Sequence, residues 1–190
     1  MDVTTARSST QPTTSELDAG LADVLASPSD DGTVEMIVSR PDVDERDVRD
    51  QADLAVGEGL VGDNYVARGN HRTDDGKAHP EAQITLMNSH SVDLVSAGDR
   101  SRWPLAGDQL FVDFDLSVAN APAGTRLQIG TAVLEVSEKP HTGCAKFRER
   151  FGVDAARWVY SRDDIRLRGI NAMVVQAGTV RQSDTISKLG

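Results

Sequence analysis

The spacing of apolar residues along the chain predicts short strands with a few helices. Apolar and polar residues alternate over residues 33–39, which is typical of a strand with one buried face. Further compact apolar runs with the character of strands cover residues 82–88, 109–114, 125–129, 131–137 and 171–176. Helical spacing is found at residues 15–26, 43–56, 89–97 and 145–160. Since these helices do not alternate regularly with strands, the pattern favours a mainly β barrel or an α+β fold over a Rossmann layout.

The domain organisation follows from the same pattern. Residues 1–14 are polar and rich in Ser and Thr, which predicts a disordered tail, and Thr14 or Ser15 is expected to cap the first helix. Residues 15–190 are long enough for one domain of ordinary size. Residues 68–81 lack apolar periodicity and are expected to form an exposed loop.

Composition narrows the functional classes. The net charge of −10 disfavours non-specific binding to nucleic acid or to anionic membranes, although one cleft can still be basic. No stretch reaches the roughly 20 apolar residues of a membrane span, and the N-terminus lacks the apolar segment of a signal peptide. A single cysteine excludes an internal disulfide and a multi-cysteine zinc site. A cytoplasmic protein with a reduced thiol is therefore expected.

Four motifs in a fixed order resemble one known family. The segment PHTGCAKF at 140–147 follows an apolar run and opens a helical pattern, and LRGINAMVVQAGTVRQSD follows it at 167–184. GLVGD at 59–63 and PLAGDQLFVDFDL at 104–116 precede them. This set is similar to the MOSC family over about residues 33–185. That family includes the C-terminal domains of molybdenum cofactor sulfurases, amidoxime-reducing proteins and small free-standing bacterial proteins.

The resemblance implies a fold and a cofactor. The expected fold is a MOSC-type β-barrel with a few peripheral helices. The family's cysteine, here Cys144, ligates molybdenum in the pterin cofactor or is proposed to carry sulfur. Gly62 and Asp63 match a family Gly-Asp pair, and Arg168 matches the arginine of an Arg-Gly pair. No pyridoxal phosphate is expected, because the sulfurase's desulfurase domain has no counterpart in this chain.

The chain also departs from the family pattern. The common Gly-Glu-Asn motif is replaced by Gly107, Asp108 and Gln109, and the late Gly-Asp pair is replaced by Ser183 and Asp184. Asn64 and Tyr65 stand where Arg and His are frequent. These departures weaken the expectation of cofactor binding more than the expectation of the fold.

The chemistry around Cys144 depends on its ionisation, because only the thiolate is a nucleophile or a metal ligand. His141 and Lys146 are close in sequence and could add positive charge, and His141 could instead shuttle a proton or bond a backbone carbonyl. Gly143 leaves room beside the thiol for a ligand. The alternative is that Cys144 is a small buried hydrophobic residue.

Other residues carry weaker signals. Arg168 could clamp a cofactor phosphate with two parallel hydrogen bonds, or it could pair with nearby acids; on strand alternation it shares a face with Arg166. Asp63 could orient a ligand or simply hold a turn. His71 and His79 lie in the polar loop without a partner cluster, so a metal site there is not expected.

Three functional hypotheses follow. The first is an enzyme that binds molybdenum cofactor through Cys144 and reduces a small, N-hydroxylated substrate by two electrons. It would need an external electron donor, because the sequence shows no flavin, haem or iron–sulfur motif. The second is a sulfur carrier supplied by a donor protein, or a barrel that binds a small anion without turnover. The third is a barrel without cysteine chemistry. The oligomeric state does not follow from the sequence.

Overall fold

The computed structural model describes residues 11–69, 73–142 and 145–190, and these residues form eleven strands and six α-helices. The strands are β1 (Gly32–Ser39), β2 (Asp47–Arg49), β3 (Gln51–Ala55), β4 (Gly59–Leu60), β5 (Ile84–Asn88), β6 (Leu110–Asp113), β7 (Arg126–Ile129), β8 (Ala132–Val136), β9 (Ile170–Gln176), β10 (Gly178–Arg181) and β11 (Thr185–Leu189). The α-helices are α1 (Thr14–Ala19), α2 (Leu21–Leu25), α3 (Tyr65–Arg68), α4 (Ser89–Val95), α5 (Ala145–Phe151) and α6 (Val153–Trp158). Two 3-10 helices cover Pro80–Ala82 and Arg100–Ala106.

Seven of the strands close into a barrel. Their order is β11-β7-β8-β9-β5-β6-β1, and the pairing of β1 with β11 completes the ring. Strands β5 and β6 are parallel, since α4 and the second 3-10 helix carry the chain back between them, and every other pair of neighbours in the ring is antiparallel. Strand β2 pairs with β1 beside the barrel, and β10, β3 and β4 form a small second sheet. The predicted β-barrel with a few helices is confirmed.

Successive residues of the barrel strands face opposite sides, and the two sides belong to two separate apolar cores. On β6, Leu110 and Val112 face the barrel interior, whereas Phe111 packs outside it against the helices. The outer core also holds Trp103 and Trp158, which are 4% and 1% exposed. Each fully buried large apolar side chain contributes roughly 1.5–3 kcal/mol of transfer free energy. Burial of these side chains therefore stabilises the packing of the helices against the outside of the barrel.

The helix predicted over residues 43–56 is wrong. The structure has strands β2 and β3 in this segment. Ala52 and Leu54 are buried while their neighbours are not, so the burial period is two residues rather than that of a helix. Val48, which the helical reading placed on the apolar face, is 50% exposed. Pairing with β1 and β10 overrides the local helical pattern.

The ends of the domain differ in detail from prediction. Thr13, rather than Thr14 or Ser15, caps α1, and it forms a capping box with Glu16. The predicted tail covers residues 1–10, which lie outside the described residues, and residues 11–14, of which Thr13 is the cap and Thr14 the first residue of α1. At the other end, β10 and β11 were not predicted from the sequence. The two predicted helices at 89–97 and 145–160 are present as α4 and as the pair α5 and α6.

Candidate functional site

Four arginines converge on the end of the second 3-10 helix. Four consecutive backbone carbonyls there, from residue 104 to residue 107, each accept a hydrogen bond from a different guanidinium. The bonds are Arg46 Nε to Pro104 at 3.1 Å, Arg150 Nη1 to Leu105 at 2.8 Å, Arg168 Nη2 to Ala106 at 3.1 Å and Arg40 Nη1 to Gly107 at 2.9 Å. We call Arg40, Arg46, Arg150 and Arg168 the four-arginine cluster.

The local fold explains why these cations gather here. The last carbonyls of a helix lack partners within the helix, and the helix dipole makes that end negative. The four arginines come from distant parts of the chain: the end of β1, the segment before β2, α5 and the turn before β9. Closure of the barrel brings these parts to one end, so the cluster is a product of the tertiary fold.

Asp63 holds Arg40 in place. Its two carboxylate oxygens accept from Arg40 Nε at 2.8 Å and from Arg40 Nη2 at 2.9 Å. The same carboxylate also accepts from the backbone amides of Arg40 and Tyr65, both at 2.9 Å. The Asp63 side chain is 1% exposed. Gly62 precedes it at φ +84°, a conformation that favours glycine, so this Gly-Asp pair positions an arginine through a tight turn.

Asp108 holds Arg168 and approaches His141. Its Oδ2 accepts from Arg168 Nη1 at 2.7 Å, and its Oδ1 lies 3.5 Å from His141 Nδ1. Asp108 has no exposed surface, and the guanidinium of Arg168 also lies over the ring of Phe147 at 4.9 Å. Sequence alternation placed Arg166 beside Arg168, but Arg166 adopts φ +56° and donates to the carbonyl of Ala121 at 2.7 Å. That prediction was wrong, because the turn breaks the alternation.

Burial shifts the pKa values of both His141 and Asp108. It lowers the pKa of His141 well below the ordinary value, and the charges of Arg168 and Arg40 lower it further, while a hydrogen bond with the Arg168 backbone opposes the shift. His141 is therefore neutral at pH 7. Burial also raises the pKa of the Asp108 carboxyl, and the charge of Arg168 opposes that rise. Since Arg168 is always charged, ionised Asp108 leaves no unpaired buried charge.

Asp44 links Lys146 to Arg150 of the four-arginine cluster. Its Oδ1 accepts from Lys146 Nζ at 2.6 Å and from Arg150 Nη2 at 2.8 Å. Lys146 and Arg150 are four residues apart on α5 and so share a face. The Lys146 hydrogen bond holds the pKa of Asp44 below its ordinary value. The Lys146 side chain is 48% exposed, so it lies at the rim of the site.

Positive charge is in surplus among the residues named for this site. The four-arginine cluster and Lys146 make five cations, and Asp44, Asp63 and Asp108 make three carboxylates, which leaves a surplus of two. In the described part of the chain, Arg46 forms no ion pair. Burial lowers the pKa of Arg46, and the nearby charges of Arg150 and Arg40 lower it further. A local surplus of +2 in a protein of net charge −10 favours an anion.

Several buried polar atoms of the site have no hydrogen-bond partner among the described residues. They are Asn64 Oδ1, Asp108 Oδ1, His141 Nδ1 and Arg168 Nε. Such atoms are costly unless something satisfies them, and they tend to mark functional positions. Gln109, in contrast, is fully satisfied: its oxygen accepts from the backbone and hydroxyl of Thr85, so it ties β5 to β6.

Cys144 and Gly143 lie outside the described residues, and so does His71 of the polar loop. The described residues that flank them in the chain are Thr142 and Ala145, the first residue of α5. His79 Nδ1 accepts from the backbone of Glu81 at 3.2 Å and caps the first 3-10 helix, and its carbonyl accepts from the Tyr65 hydroxyl at 2.7 Å. The structure thus brings together Asp63, His141, Lys146 and Arg168 of the predicted site. It adds Arg40, Arg46, Arg150 and Asp108, which the sequence did not single out for binding.

The class of protein is a closed β-barrel of parallel and antiparallel strands with a positively charged cluster at one end. Comparison with known proteins gives the family. The MOSC domain family matches residues 45–187, so this chain belongs to that family. No curated protein matches it. In the described part of the chain, no helix is both long and apolar enough to cross a bilayer.

Solved structures share the fold. YuaD from Bacillus subtilis superposes with a TM-score of 0.63 at 18% identity, over 82% of this chain and 93% of YuaD. YiiM from Escherichia coli superposes with a TM-score of 0.54 at 16% identity, over 83% of this chain and 70% of YiiM. A hypothetical protein superposes at 0.58 and 18% identity, over 84% and 68% of the two chains. At these identities the likeness concerns the fold alone.

Proposed function

We propose that this protein binds the molybdenum cofactor at the four-arginine end of the barrel, with Cys144 as the ligand to molybdenum. We further propose that it reduces a small, N-hydroxylated substrate by two electrons. The observation that carries the proposal is the surplus of two positive charges beside the chain segment of the only cysteine. A cofactor phosphate carries up to two negative charges, so it matches this surplus.

The residues of the site fit the parts of the cofactor. Arg46, which lacks a carboxylate partner in the described chain, and Lys146 at the rim would hold the phosphate. The unpartnered buried atoms of Asn64 and Arg168 offer an acceptor and a donor to the ring of a pterin. The thiolate of Cys144 is a soft ligand suited to molybdenum in a dithiolene. When bound, the cofactor supplies two-electron redox chemistry at the metal.

The chain's own residues prepare the site for that chemistry. Neutral His141 does not add positive charge to support a thiolate, so this task falls to the arginines and to Lys146. The neutral ring is suited instead to moving a proton, which the cleavage of an N–O bond requires. Asp63 and Asp108 fix two guanidiniums, which limits the conformational cost of binding an anion. Electrons come from an external donor protein.

Reductase activity tests this proposal. The protein is expressed in a host that makes the cofactor, and reduction of an N-hydroxylated amidine is followed with a reduced viologen dye as electron donor. We expect turnover in the wild type and its loss in Cys144→Ser, with the fold checked by circular dichroism. Undiminished turnover in Cys144→Ser would contradict the role of the thiolate. A persulfide on Cys144 in metal-free protein without turnover would replace this proposal with a sulfur carrier.

A further inference from the structure

Three cations of the site share one exposed carboxylate. Two arginines of the four-arginine cluster are each paired with a buried aspartate. Among the described residues, Lys146 and Arg150 form ion pairs with Asp44 alone, at 2.6 and 2.8 Å. The charge of Arg46, which has no ion pair there, also acts on the Asp44 carboxylate. The least compensated positive charge of the site therefore surrounds Asp44, whose side chain is 55% exposed.

The segment that joins β1 to β2 brings Asp44 to these cations. Arg40 at its start and Arg46 at its end both donate to carbonyls of the second 3-10 helix. Between them, Asp44 adopts φ +63°, a left-handed conformation that aspartate tolerates better than most side chains. The Asp44 carboxylate is thus carried against α5 by a backbone that is anchored on both sides.

The donors that hold Asp44 are those that an oxyanion needs. Lys146 Nζ and Arg150 Nη2 converge on the single oxygen Oδ1, as two donors converge on one oxygen of a phosphate. Asp44 and Lys146 are about half exposed, and ion pairs this open to water contribute little to stability. A phosphate dianion brings more negative charge to the same cations than one carboxylate does. Exchange of the carboxylate for the dianion is therefore favourable.

We propose that Asp44 is a built-in competitor for the anion. Its carboxylate occupies the place on Lys146 and Arg150 that an oxyanion takes, and binding of a phosphate-bearing molecule displaces it into water. In the free protein the contact keeps both cations neutralised, and it is given up when the anion binds. This inference rests on the anion site of the proposed function, but not on molybdenum or on the reduction.

Calorimetric titration of the whole protein with inorganic phosphate at neutral pH and low salt tests the competition. Asp44→Gly removes the carboxylate and is compatible with φ +63°. We expect the Kd for phosphate to fall by about fivefold or more, which corresponds to the repulsion of two unit charges about 4 Å apart in water. An unchanged or weaker affinity in Asp44→Gly would overturn the proposal.

Two control variants carry the same loss of one negative charge. Asp31→Gly makes the identical change at another aspartate of positive φ, +50°, before the opposite end of β1. Glu45→Gln removes the charge of the residue next to Asp44 and leaves both bonds to Asp44 Oδ1 in place. Both should bind phosphate as the wild type does. A gain in Glu45→Gln equal to that in Asp44→Gly would overturn the proposal, because net charge alone would then explain the effect.

A double-mutant cycle with Lys146→Met separates displacement from repulsion at a distance. If phosphate has to break the bond between Asp44 and Lys146, that cost is absent in Lys146→Met, so Asp44→Gly should gain less affinity in that background. An equal gain in both backgrounds would overturn displacement. Tighter phosphate binding in Asp44→Gly, in a protein that carries no pterin, would count against the proposed function alone. Bound pterin in the wild type with unchanged phosphate affinity in Asp44→Gly would count against the competition alone.

Discussion

Removal of the Asp63 carboxylate tests how the cationic end of the barrel is held together. Asp63→Ala leaves the guanidinium of Arg40, 10% exposed, without its bidentate partner. It also removes the acceptor of two backbone amides, those of Arg40 and Tyr65. Breaking a buried ion pair from one side costs about 3–5 kcal/mol, because the remaining charge is buried without compensation. We therefore expect the free energy of unfolding to fall by this amount.

Urea unfolding followed by circular dichroism gives that change from the midpoint and the slope. Asp47→Ala is the control: it removes an ion pair with Arg49 at a similar distance, 2.9 Å, but the two side chains are 54% and 32% exposed. Exposed pairs contribute about 0–1 kcal/mol. If Asp63→Ala costs no more than Asp47→Ala, the buried pair does not organise this end. A double substitution Arg40→Met and Asp63→Leu should recover part of the loss.

Three further results are expected. Arg46→Ala should weaken binding of inorganic phosphate, measured by calorimetry, by about tenfold or more, since a charge-assisted hydrogen bond contributes about 1.5–3 kcal/mol. Arg126→Ala removes an exposed arginine of β7 and should leave phosphate binding unchanged. Gly169→Ala should lower the unfolding midpoint, because φ is +98° and the new Cβ would lie 2.0 Å from the Leu86 carbonyl oxygen; an unchanged midpoint would contradict this. His141 has a lowered pKa in the folded state, so the unfolded chain binds more protons below about pH 6.5 and stability should fall as the pH falls through that value. His141→Gln should flatten the pH dependence of the urea midpoint in that range. If the midpoint of this variant changed with pH as steeply as in the wild type, the lowered pKa of His141 would not be the cause.

Much of the barrel could be predicted from the sequence because its strands bury one face. The run at 109–114 alternates between the two cores, and that period of two is visible in the sequence. The failure at residues 43–56 has a physical cause. A stripe of Val48, Ala52 and Ala55 fits a helix as well as a strand, and only pairing with β1 and β10 decides between them.

The candidate site was less accessible to sequence reasoning. Arg168 and Asp63 were singled out because they match family motifs. Arg40, Arg46 and Arg150 belong to no motif, and their shared feature is that each donates to one of four consecutive carbonyls. Such a convergence depends on barrel closure, which no local pattern encodes. The one available signal was the spacing of Lys146 and Arg150, four residues apart on a predicted helix.

The most direct test of the central claim is the molybdenum and pterin content of protein purified from a cofactor-competent host. Elemental analysis and pterin fluorescence are compared for the wild type, Cys144→Ser and Arg46→Ala. The account predicts molybdenum and pterin near one equivalent per chain in the wild type, loss of molybdenum in Cys144→Ser and reduced pterin in Arg46→Ala. Wild-type protein that carries neither molybdenum nor pterin from such a host would contradict it.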